Sequence, residues 1–342
     1  MKRFPMPHLS TRVLQGLLTL LLTLFGLLLV TFALSAFSPV DRVLQIVGDH
    51  ASQSTYDQVR HQLGLDRPLP VQFWHYLQNL AHGDLGTASA TGQPVLQDLL
   101  HAFPATLELA TLALIIGAVL GVIAGVLCAR YAGSPLDLAI RTLTLLGNSV
   151  PIFWLGLLML ALFYAKLQWS AGPGRLDDIW QFTVEPRTGF ALVDTWLSGD
   201  REAFRNALSH LVLPVLLLAY YSLASITRLT RSACLSEMNK EYILLARAKG
   251  AGEMTILLRH VLPNIRGTLL TVIALAYTSM LEGAVLTETV FSWPGIGRYL
   301  TTALFAGDTT AVMGGTLLIG VCFVLINNLT DLLVRATDPR VR

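Results

Sequence analysis

The stretch EYILLARAKGAGEMTILLRHVLP, residues 241–263, decides how the whole chain is interpreted. It is charged and rich in helix-forming residues, yet it separates two apolar segments, where a membrane protein usually has only a short loop. Gly250 and Gly252 interrupt the helical pattern, because glycine readily adopts the left-handed conformation that ends helices. Asn239 suits the position just before a first helix, and a second helix is predicted over residues 253–262. Pro263 can end this second helix or begin the entry into the next span. The sequence therefore predicts two short helices around a glycine corner, lying across one end of a helical bundle.

The composition is that of a membrane protein. Of the 342 residues, 53% are hydrophobic and 13% are charged, and the mean hydropathy is +0.58. Soluble domains carry about 25% charged residues. The net charge of +2 is too small to indicate a nucleic-acid partner. Cys128, Cys234 and Cys322 are far apart and form no CxxC or Cys/His cluster, so neither a disulfide framework nor a metal site is predicted.

Six apolar spans can be drawn, which predicts an all-α, polytopic membrane protein with six transmembrane helices. The first span has 25 residues, whereas the apolar part of a signal peptide has about 7–15, so a retained helix is predicted. The spans are residues 13–37, 105–129, 138–165, 207–226, 267–287 and 311–334. The remaining divisions are the termini 1–12 and 336–342, an outer loop 38–104 with short helices, and a core 105–335 that includes the loop 228–266.

The positive charges predict the orientation of the chain. Of the 24 Lys and Arg residues, fifteen fall on the side that holds both termini, in short segments next to helices. The other nine are diluted in long loops. Since short cytoplasmic segments carry an excess of Lys and Arg, both termini are predicted to be cytoplasmic. In the outer loop, residues 71–81 form an amphipathic, aromatic-bearing segment, which suggests a seat at the membrane interface or packing on another subunit.

Small and polar residues inside the spans predict packing and breaks. Gly117, Gly121 and Gly125 form two overlapping small-xxx-small steps, which favour close helix packing. Asn148 and the nearby Pro151 are expected to kink or open the third span, because proline frees backbone groups that must find other partners.

Two carboxylates lie inside predicted spans, Glu108 in the second and Glu282 in the fifth. Acidic groups at that depth are costly and face the bundle interior or water. Two interpretations of both carboxylates stay open: polar positions on a translocation path, or structural groups paired with a neighbouring helix or close to the aqueous boundary. Asn148 is a third candidate for the path.

Several motifs, taken in chain order, carry a resemblance to a known family. From Ala246 the pattern runs three residues to Gly250 and nine more to His260-Val261-Leu262-Pro263, which is similar to the E-A-A-x3-G-x9-I-x-L-P coupling loop of ABC-importer permeases. Further stretches resemble the peptide-permease branch, in particular the first permease subunit of dipeptide, oligopeptide and nickel importers. They are PATLEL (104–109), TRS (230–232), YILLARAKG (242–250), PRTGFALVD (186–194), ETVFSWPGIG (288–297) and residues 328–342.

The resemblance implies that the 241–263 loop docks in a cleft of a cytoplasmic ATPase. The implied coupling residues are Glu241, Ala246, Arg247, Lys249, Gly250, His260, Leu262 and Pro263. The sequence departs from the family pattern where Leu244 and Leu245 replace the usual polar residues, and where His260 replaces an isoleucine. From composition alone, an amphipathic segment held against anionic lipid is the alternative. The resemblance also implies an outer gate at Phe291, Trp293 and Pro294, for which an aromatic interfacial anchor is the alternative.

The resemblance implies partners and excludes chemistry within this chain. The partners are a second homologous permease, two cytoplasmic ATPases, a periplasmic or lipoprotein solute-binding protein and the bilayer of the bacterial inner membrane, with no nucleic acid. No G-x4-G-K-[ST] phosphate loop is present, so ATP and magnesium are expected only in the ATPase subunits and no cofactor or metal in this one. Di- or oligopeptide is the expected cargo, with nickel or another metal chelate as the alternative. Rival classes are a stand-alone secondary transporter, which predicts charged relays at mid-membrane, and an intramembrane enzyme, which predicts a nucleophile and base within the spans.

Overall fold

Long helices account for most of the chain in a computed structural model that describes residues 9–38, 40–48 and 50–337. Among the side chains in those ranges, positions 9–17, 19, 42, 148, 282, 331 and 333–337 are not described. The described residues form fifteen α-helices and no named strand, as an all-α protein requires. The helices are α1 (Leu9–Ala36), α2 (Arg42–Val47), α3 (Gln53–Gln62), α4 (Leu69–Ala81), α5 (Val95–Arg130), α6 (Pro135–Ser149), α7 (Ile152–Met159), α8 (Asp178–Thr183), α9 (Ala191–Leu197), α10 (Arg201–Met238), α11 (Glu241–Ala248), α12 (Glu253–Ile256), α13 (Leu262–Val290), α14 (Ile296–Phe305) and α15 (Thr309–Thr337).

The number of membrane-crossing helices is four or five by length and composition in the described part of the chain. Four stretches qualify outright, and they are Val95–Arg130, Arg201–Met238, Glu253–Leu281 and Thr309–Thr330. A fifth is counted if the bent pair α6 and α7 forms one span. The apolar part of α1, Leu20–Ala36, is shorter than these. The count of six spans therefore stays a prediction.

The predicted third span is not one straight helix. α6 and α7 meet at an angle of 98°. Val150 and Pro151 take extended backbone conformations at the break, with ψ of 131° and 130°. This bend confirms the predicted kink. Its physical cause is Pro151, because proline disfavours the helical conformation of the residue before it. Beyond α7 the chain widens into a π-helical turn, Leu160–Lys166.

Several helices extend well past the predicted spans. α5 begins at Val95 rather than at residue 105, and Pro104 lies within it. α10 covers Arg201–Met238, where only residues 207–226 were predicted. Hydropathy detects the segment that is apolar enough for lipid, whereas helical hydrogen bonding continues into water wherever side chains pack or caps are available.

Residues Ala102–Arg298 form the larger of two compact units, together with the described residues 329–337. Within it α5 packs closely against α10. A Cβ atom on Gly121 would lie 2.9 Å from Cβ of Ile226, and one on Gly125 would lie 2.6 Å from Cβ of Thr230. A Cβ on Gly117 would collide with the Ser222 side chain. The predicted close packing at all three glycines is confirmed, because only a missing side chain lets the backbones approach this far.

The smaller unit contains the described residues up to His101 and the segment Tyr299–Asn328. Within it Phe73 and Tyr76 of α4 stack on Phe32 of α1, with ring centroids 5.1 and 6.2 Å apart. These two rings therefore pack on the chain's own first helix, whereas Trp74 remains 61% exposed. The seat of this segment at the membrane interface or on another subunit stays a prediction. In the same unit, the hydroxyl of Tyr56 donates a hydrogen bond that lowers the pKa of Asp41.

Candidate functional site

The 228–266 segment is mostly a continuation of long helices rather than a loop. α10 runs on to Met238, so residues 228–238 are helical. Asn239 ends that helix instead of capping the next one, and Lys240 occupies the position before α11. The prediction of Asn239 as an N-cap was wrong by one residue, because the sequence did not show that the preceding span would extend this far.

The glycine corner forms at one of the two predicted glycines. Gly250 has φ of +83°, and its N–H donates to the carbonyl of Arg247 at 2.9 Å. Ala251 N–H donates to the carbonyl of Ala246 at 3.1 Å, which closes the end of α11. Gly252 has φ of −67° and ψ of 152°, an extended conformation open to any residue. Only Gly250 therefore needs to be glycine for its backbone conformation.

A buried apolar cluster holds the corner to the bundle. Ile243, Ile256, Leu257 and Val261 are each 0% exposed. They pack in one cluster with Cys234 of α10, with Ala129 of α5 and with Ile265. Because every element of the corner contributes to this cluster, α11 and α12 are attached firmly to the spans and will move with them.

The opposite face of the corner is exposed and apolar. Leu244 and Leu245 are 58% and 57% exposed, and Met254 and Leu258 are 52% and 55% exposed. An ion pair between Arg247 and Glu253, 2.9 Å long, bridges the two short helices beside this face. Of the predicted coupling residues, Glu241, Arg247, Lys249, Gly250 and Pro263 are exposed, while Ala246, His260 and Leu262 are half-buried.

The second half of the segment runs into the fifth span without a break. α12 covers only Glu253–Ile256, a π-helical turn follows over Leu257–Val261, and α13 begins at Leu262. Of the two roles predicted for Pro263, ending the second helix or beginning the entry into the next span, the structure shows the second. Pro263 lies in the first turn of α13, where a backbone N–H would have no acceptor within the helix, so proline is tolerated there. The π-helical turn lies directly before it. The corner is therefore continuous with α13.

A polar network that the sequence did not reveal also ties the segment together. The hydroxyl of Tyr242 donates to Glu237 Oε1 at 2.7 Å and accepts from Asn264 Nδ2 at 2.9 Å. Lys240 Nζ lies 2.6 Å from Glu237 Oε2. The bonds join α10, α11 and α13, so Tyr242 connects three helices through one hydroxyl.

Glu108 is a buried and fully partnered carboxylate. It is 5% exposed. Oε2 accepts from Arg175 Nη2 at 2.5 Å and from the N–H of Ala191 at 3.1 Å, and Oε1 accepts from the N–H of Leu192 at 2.8 Å. Arg175 Nη2 also donates to the carbonyl of Gly189 at 2.6 Å. Of the two interpretations left open for Glu108, this geometry supports the structural one, because its two oxygens hold Arg175 and the start of α9.

The PRTGFALVD stretch closes around a second carboxylate. Asp194 accepts hydrogen bonds from the N–H and hydroxyl of Thr188, at 2.8 and 2.7 Å, and from the N–H of Gly189 at 3.0 Å. Gly189 has φ of +80°, and a Cβ there would lie 2.9 Å from Cγ of Pro104. Both the backbone conformation and the close approach therefore require glycine at this position.

A third buried carboxylate, Glu288, holds the ETVFSWPGIG stretch and was not singled out from the sequence. Glu288 is 0% exposed. It accepts from the hydroxyl of Thr106 at 2.7 Å and from the N–H groups of Gly297 and Arg298 at 2.7 and 3.1 Å. The hydroxyl of Thr106 in turn accepts from the N–H of Ile296 at 2.8 Å. The sequence did contain one signal for this contact, because the acidic residue Glu288 comes shortly before the turn 291–297, whose N–H groups it binds.

The proposed gate residues divide into two buried rings and one exposed proline. Trp293 is 0% exposed, and its Nε1 donates to the carbonyl of Ala105 at 2.9 Å. Phe291 is 2% exposed and packs on Leu213 and Leu217 of α10, while Pro294 is exposed. Because both rings are enclosed by protein, neither serves as an anchor in the membrane interface. The side chains of Asn148 and Glu282, the other two path candidates, lie outside the described residues.

These features define a class: a helical membrane protein whose spans are attached to a short helical corner with an exposed apolar face. Residues 94–342 match the family described as the inner membrane component of binding-protein-dependent transport systems, and residues 8–110 match the N-terminal region of such components. The chain belongs to this family.

Curated relatives match over nearly the whole length. The chain is 45% identical over 322 residues to a probable D,D-dipeptide transport system permease protein of Escherichia coli, covering 94% of each chain. It is 41% identical over 321 residues to a di/tripeptide transport system permease protein of Pseudomonas aeruginosa, covering 94% of this chain and 95% of the relative.

A solved structure shares the fold. The inward-facing form of the MetNI methionine ABC transporter matches with a TM-score of 0.53 and 19% identity, covering 71% of this chain and 97% of the matched one. Since the identity is low, this likeness concerns the architecture of the helices alone.

Proposed function

We propose that this chain is the permease subunit of an ABC importer for di- or oligopeptides, and that it is driven through its 241–263 corner by a cytoplasmic ATPase. The cargo assignment rests on the names of relatives at 41–45% identity, which are dipeptide and di/tripeptide permeases. The alternative of a nickel or metal-chelate importer has no such support.

The observation that carries the coupling role is the two-sided corner. Ile243, Ile256 and Val261 are fully buried in the bundle, whereas Leu244 and Leu245 are more than half exposed. The buried face fixes the corner to the spans, and the exposed apolar face can bind a partner protein. A partner bound there would move the corner and the attached helices together. In the complex, closure of the ATPase would shift α11 and α12, and with them α10 and α13, between two arrangements of the pathway.

The proposed assembly contains a second permease, two ATPase subunits and a solute-binding protein on the outer side. ATP and magnesium would be bound by the ATPase subunits, so this chain would contribute the pathway and no catalytic residue. Both termini and the corner would face the cytoplasm, in line with the distribution of Lys and Arg along the chain. Phe291, Trp293 and Pro294 would belong to the outer end of the pathway.

The test replaces Leu244 and Leu245 together by serine in the chain coexpressed with its ATPase and permease partners. Burying a leucine contributes about 1.5–3 kcal/mol. Because these side chains are 58% and 57% exposed, docking would add about half of that for each. The pair would therefore contribute about 1.5–3 kcal/mol, or roughly 10–150-fold in affinity.

The measurements are copurification of ATPase subunits and ATP turnover in lipid. A control variant, Leu63→Ser with Leu197→Ser, removes two leucines that are 48% and 45% exposed in the outer loops. We expect the first variant to lose ATPase subunits while keeping the thermal stability of the wild type, and the control to keep both. Equal ATPase retention by the two variants would contradict docking through this face.

A further inference from the structure

A cleft of about 250 Å³ lies between α6 and α10, apart from the corner and the outer loops. One face of α10 contributes Ala224, Thr227, Arg228 and Arg231 at helical spacing, and one face of α6 contributes Arg141 and Leu145. Three arginines therefore meet at one small cleft.

The charges in this cleft are not balanced by the protein. Arg231 is bound to Asp137, with Nε to Oδ1 and Nη2 to Oδ2 both 2.8 Å. Asp137 Oδ2 also accepts from the N–H of Gly133 at 3.0 Å, so this carboxylate is already occupied. Arg141 and Arg228 form no ion pair with any residue that the structure describes. The charge of Asp137 neutralises that of Arg231, so the positive charges of Arg141 and Arg228 remain.

A buried hydroxyl in the same cleft also lacks a partner. Thr227 is 1% exposed, and its Oγ1 has no hydrogen-bond partner among the described residues. Buried polar groups are nearly always hydrogen-bonded in folded proteins, and an orphan among them points to a group that the protein itself does not supply. An oxygen-rich anion would accept from this hydroxyl and from the two arginines together.

We propose that this cleft binds a phosphate group, and that its source is the headgroup of an anionic phospholipid. Arginine presents planar N–H donors that match phosphate oxygens, and charge-assisted bonds of this kind are the strong ones. Leu145 and Ala224 line the cleft beside the arginines. Their apolar side chains can contact the first carbons of an acyl chain, whereas they would contribute nothing to the binding of a free ion. Basic pockets between spans at the cytoplasmic side bind anionic headgroups. The lipid source rests on the cytoplasmic orientation given under the proposed function.

The test measures the lipid retained by the purified transporter, by native mass spectrometry in detergent. Three additions are compared: phosphatidylglycerol, phosphatidylcholine and inorganic phosphate. The variants are Arg141→Gln with Arg228→Gln, and Thr227→Val, which keeps the shape of the side chain and removes the hydroxyl. The control is Arg130→Gln, which removes a positive charge at the end of α5, where Arg130 stacks on Tyr131 at 5.4 Å and lines no part of the cleft.

Wild type and the Arg130 variant should retain phosphatidylglycerol and not phosphatidylcholine. Each arginine near an anionic lipid surface contributes about five-fold in affinity, so the double variant should bind roughly 30-fold more weakly. Thr227→Val should weaken retention by a few-fold without loss of stability in lipid-free detergent. Binding of inorganic phosphate with the same dependence on Arg141 and Arg228, and no preference for lipid, would assign the site to a free anion.

Equal phosphatidylglycerol retention by wild type and the double variant would overturn the proposal. Loss of another subunit from the double variant, with its lipid content unchanged, would overturn it as well, because the arginines would then pair with a protein carboxylate. ATPase copurification from the same samples separates this outcome from failure of the coupling role. Reduced phosphatidylglycerol retention with normal ATPase binding in the double variant would support the lipid site independently of the coupling role. If the wild type bound no ATPase subunits, the proposed function would be contradicted, but the measured lipid retention would still test the cleft.

Discussion

Replacing Arg175 by methionine tests whether Glu108 is structural or lies on the translocation path. The side chains of Arg175 and Glu108 are 17% and 4% exposed. Removing one partner of a buried pair costs about 3–5 kcal/mol, because the other charge is left without compensation. Glu108 would keep two backbone N–H donors, from Ala191 and Leu192, so we expect the lower end, about 3 kcal/mol.

The assay is the free energy of unfolding from titration with a denaturing detergent, read alongside peptide uptake. Glu108→Gln should cost about 1–3 kcal/mol, because a buried donor loses its charged acceptor. The double variant Glu108→Gln, Arg175→Met should be more stable than the sum of the single losses by about 1–3 kcal/mol, as expected for residues in contact. A control is Arg187→Met, whose ion pair with Glu185 is 65% and 76% exposed and should contribute less than about 1 kcal/mol.

The structural interpretation predicts that uptake falls only as far as stability falls. If Glu108→Gln abolished uptake while the free energy of unfolding stayed at the wild-type value, the reasoning would be refuted. The carboxylate would then act on cargo. Strictly additive single losses would also refute the reasoning, because they would mean that the side chains of Glu108 and Arg175 do not interact.

Three further predictions concern the buried hydroxyl group of Thr106 and the backbone at two glycines. Thr106→Val should cost about 1–3 kcal/mol and expose the 291–298 turn to limited proteolysis, since both Glu288 and the N–H of Ile296 lose a partner. Gly297→Ala should cost about 1–3 kcal/mol in the same unfolding titration, because the added methyl collides with Cα of Val285; wild-type stability would contradict the close approach. Gly250→Ala should cost about 1–2 kcal/mol, since φ is +83°, and Gly252→Ala, at an extended residue, should cost less; equal losses would show that the corner does not depend on a left-handed residue.

The family and the coupling segment could be predicted because both are written in local patterns. The spacing from Ala246 to Pro263 and the order of the other motifs need no knowledge of packing. The corner at Gly250, the break before Pro151 and the close helix contact at Gly121 were also predictable, since each depends on one residue type with a specific backbone property.

Other parts of the site could not be predicted, because they depend on residues far apart in the chain. Glu108 was recognised as a costly buried carboxylate, yet its partner Arg175 is 67 positions away and lies in a loop that resembles no regular element. Glu288 was missed because an acidic residue near the end of a span gave no sign of whether it faced water or a backbone turn. The end of α10 was misplaced for a related reason, since side-chain packing carried that helix past its apolar segment.

The sequence by itself determined that this is an all-α membrane protein, because hydropathy and helical spacing are properties of neighbouring residues, and its motifs carried the resemblance to a transporter family. It also determined that one segment, with Gly250 as its corner, departs from the rest of the chain. Only the tertiary structure decided which groups meet: Glu108 with Arg175, Glu288 with Thr106, and Arg141 with Arg228 across a cleft. The physical reason is that pairing in a bundle follows from how helix faces pack, and packing depends on all the helices at once.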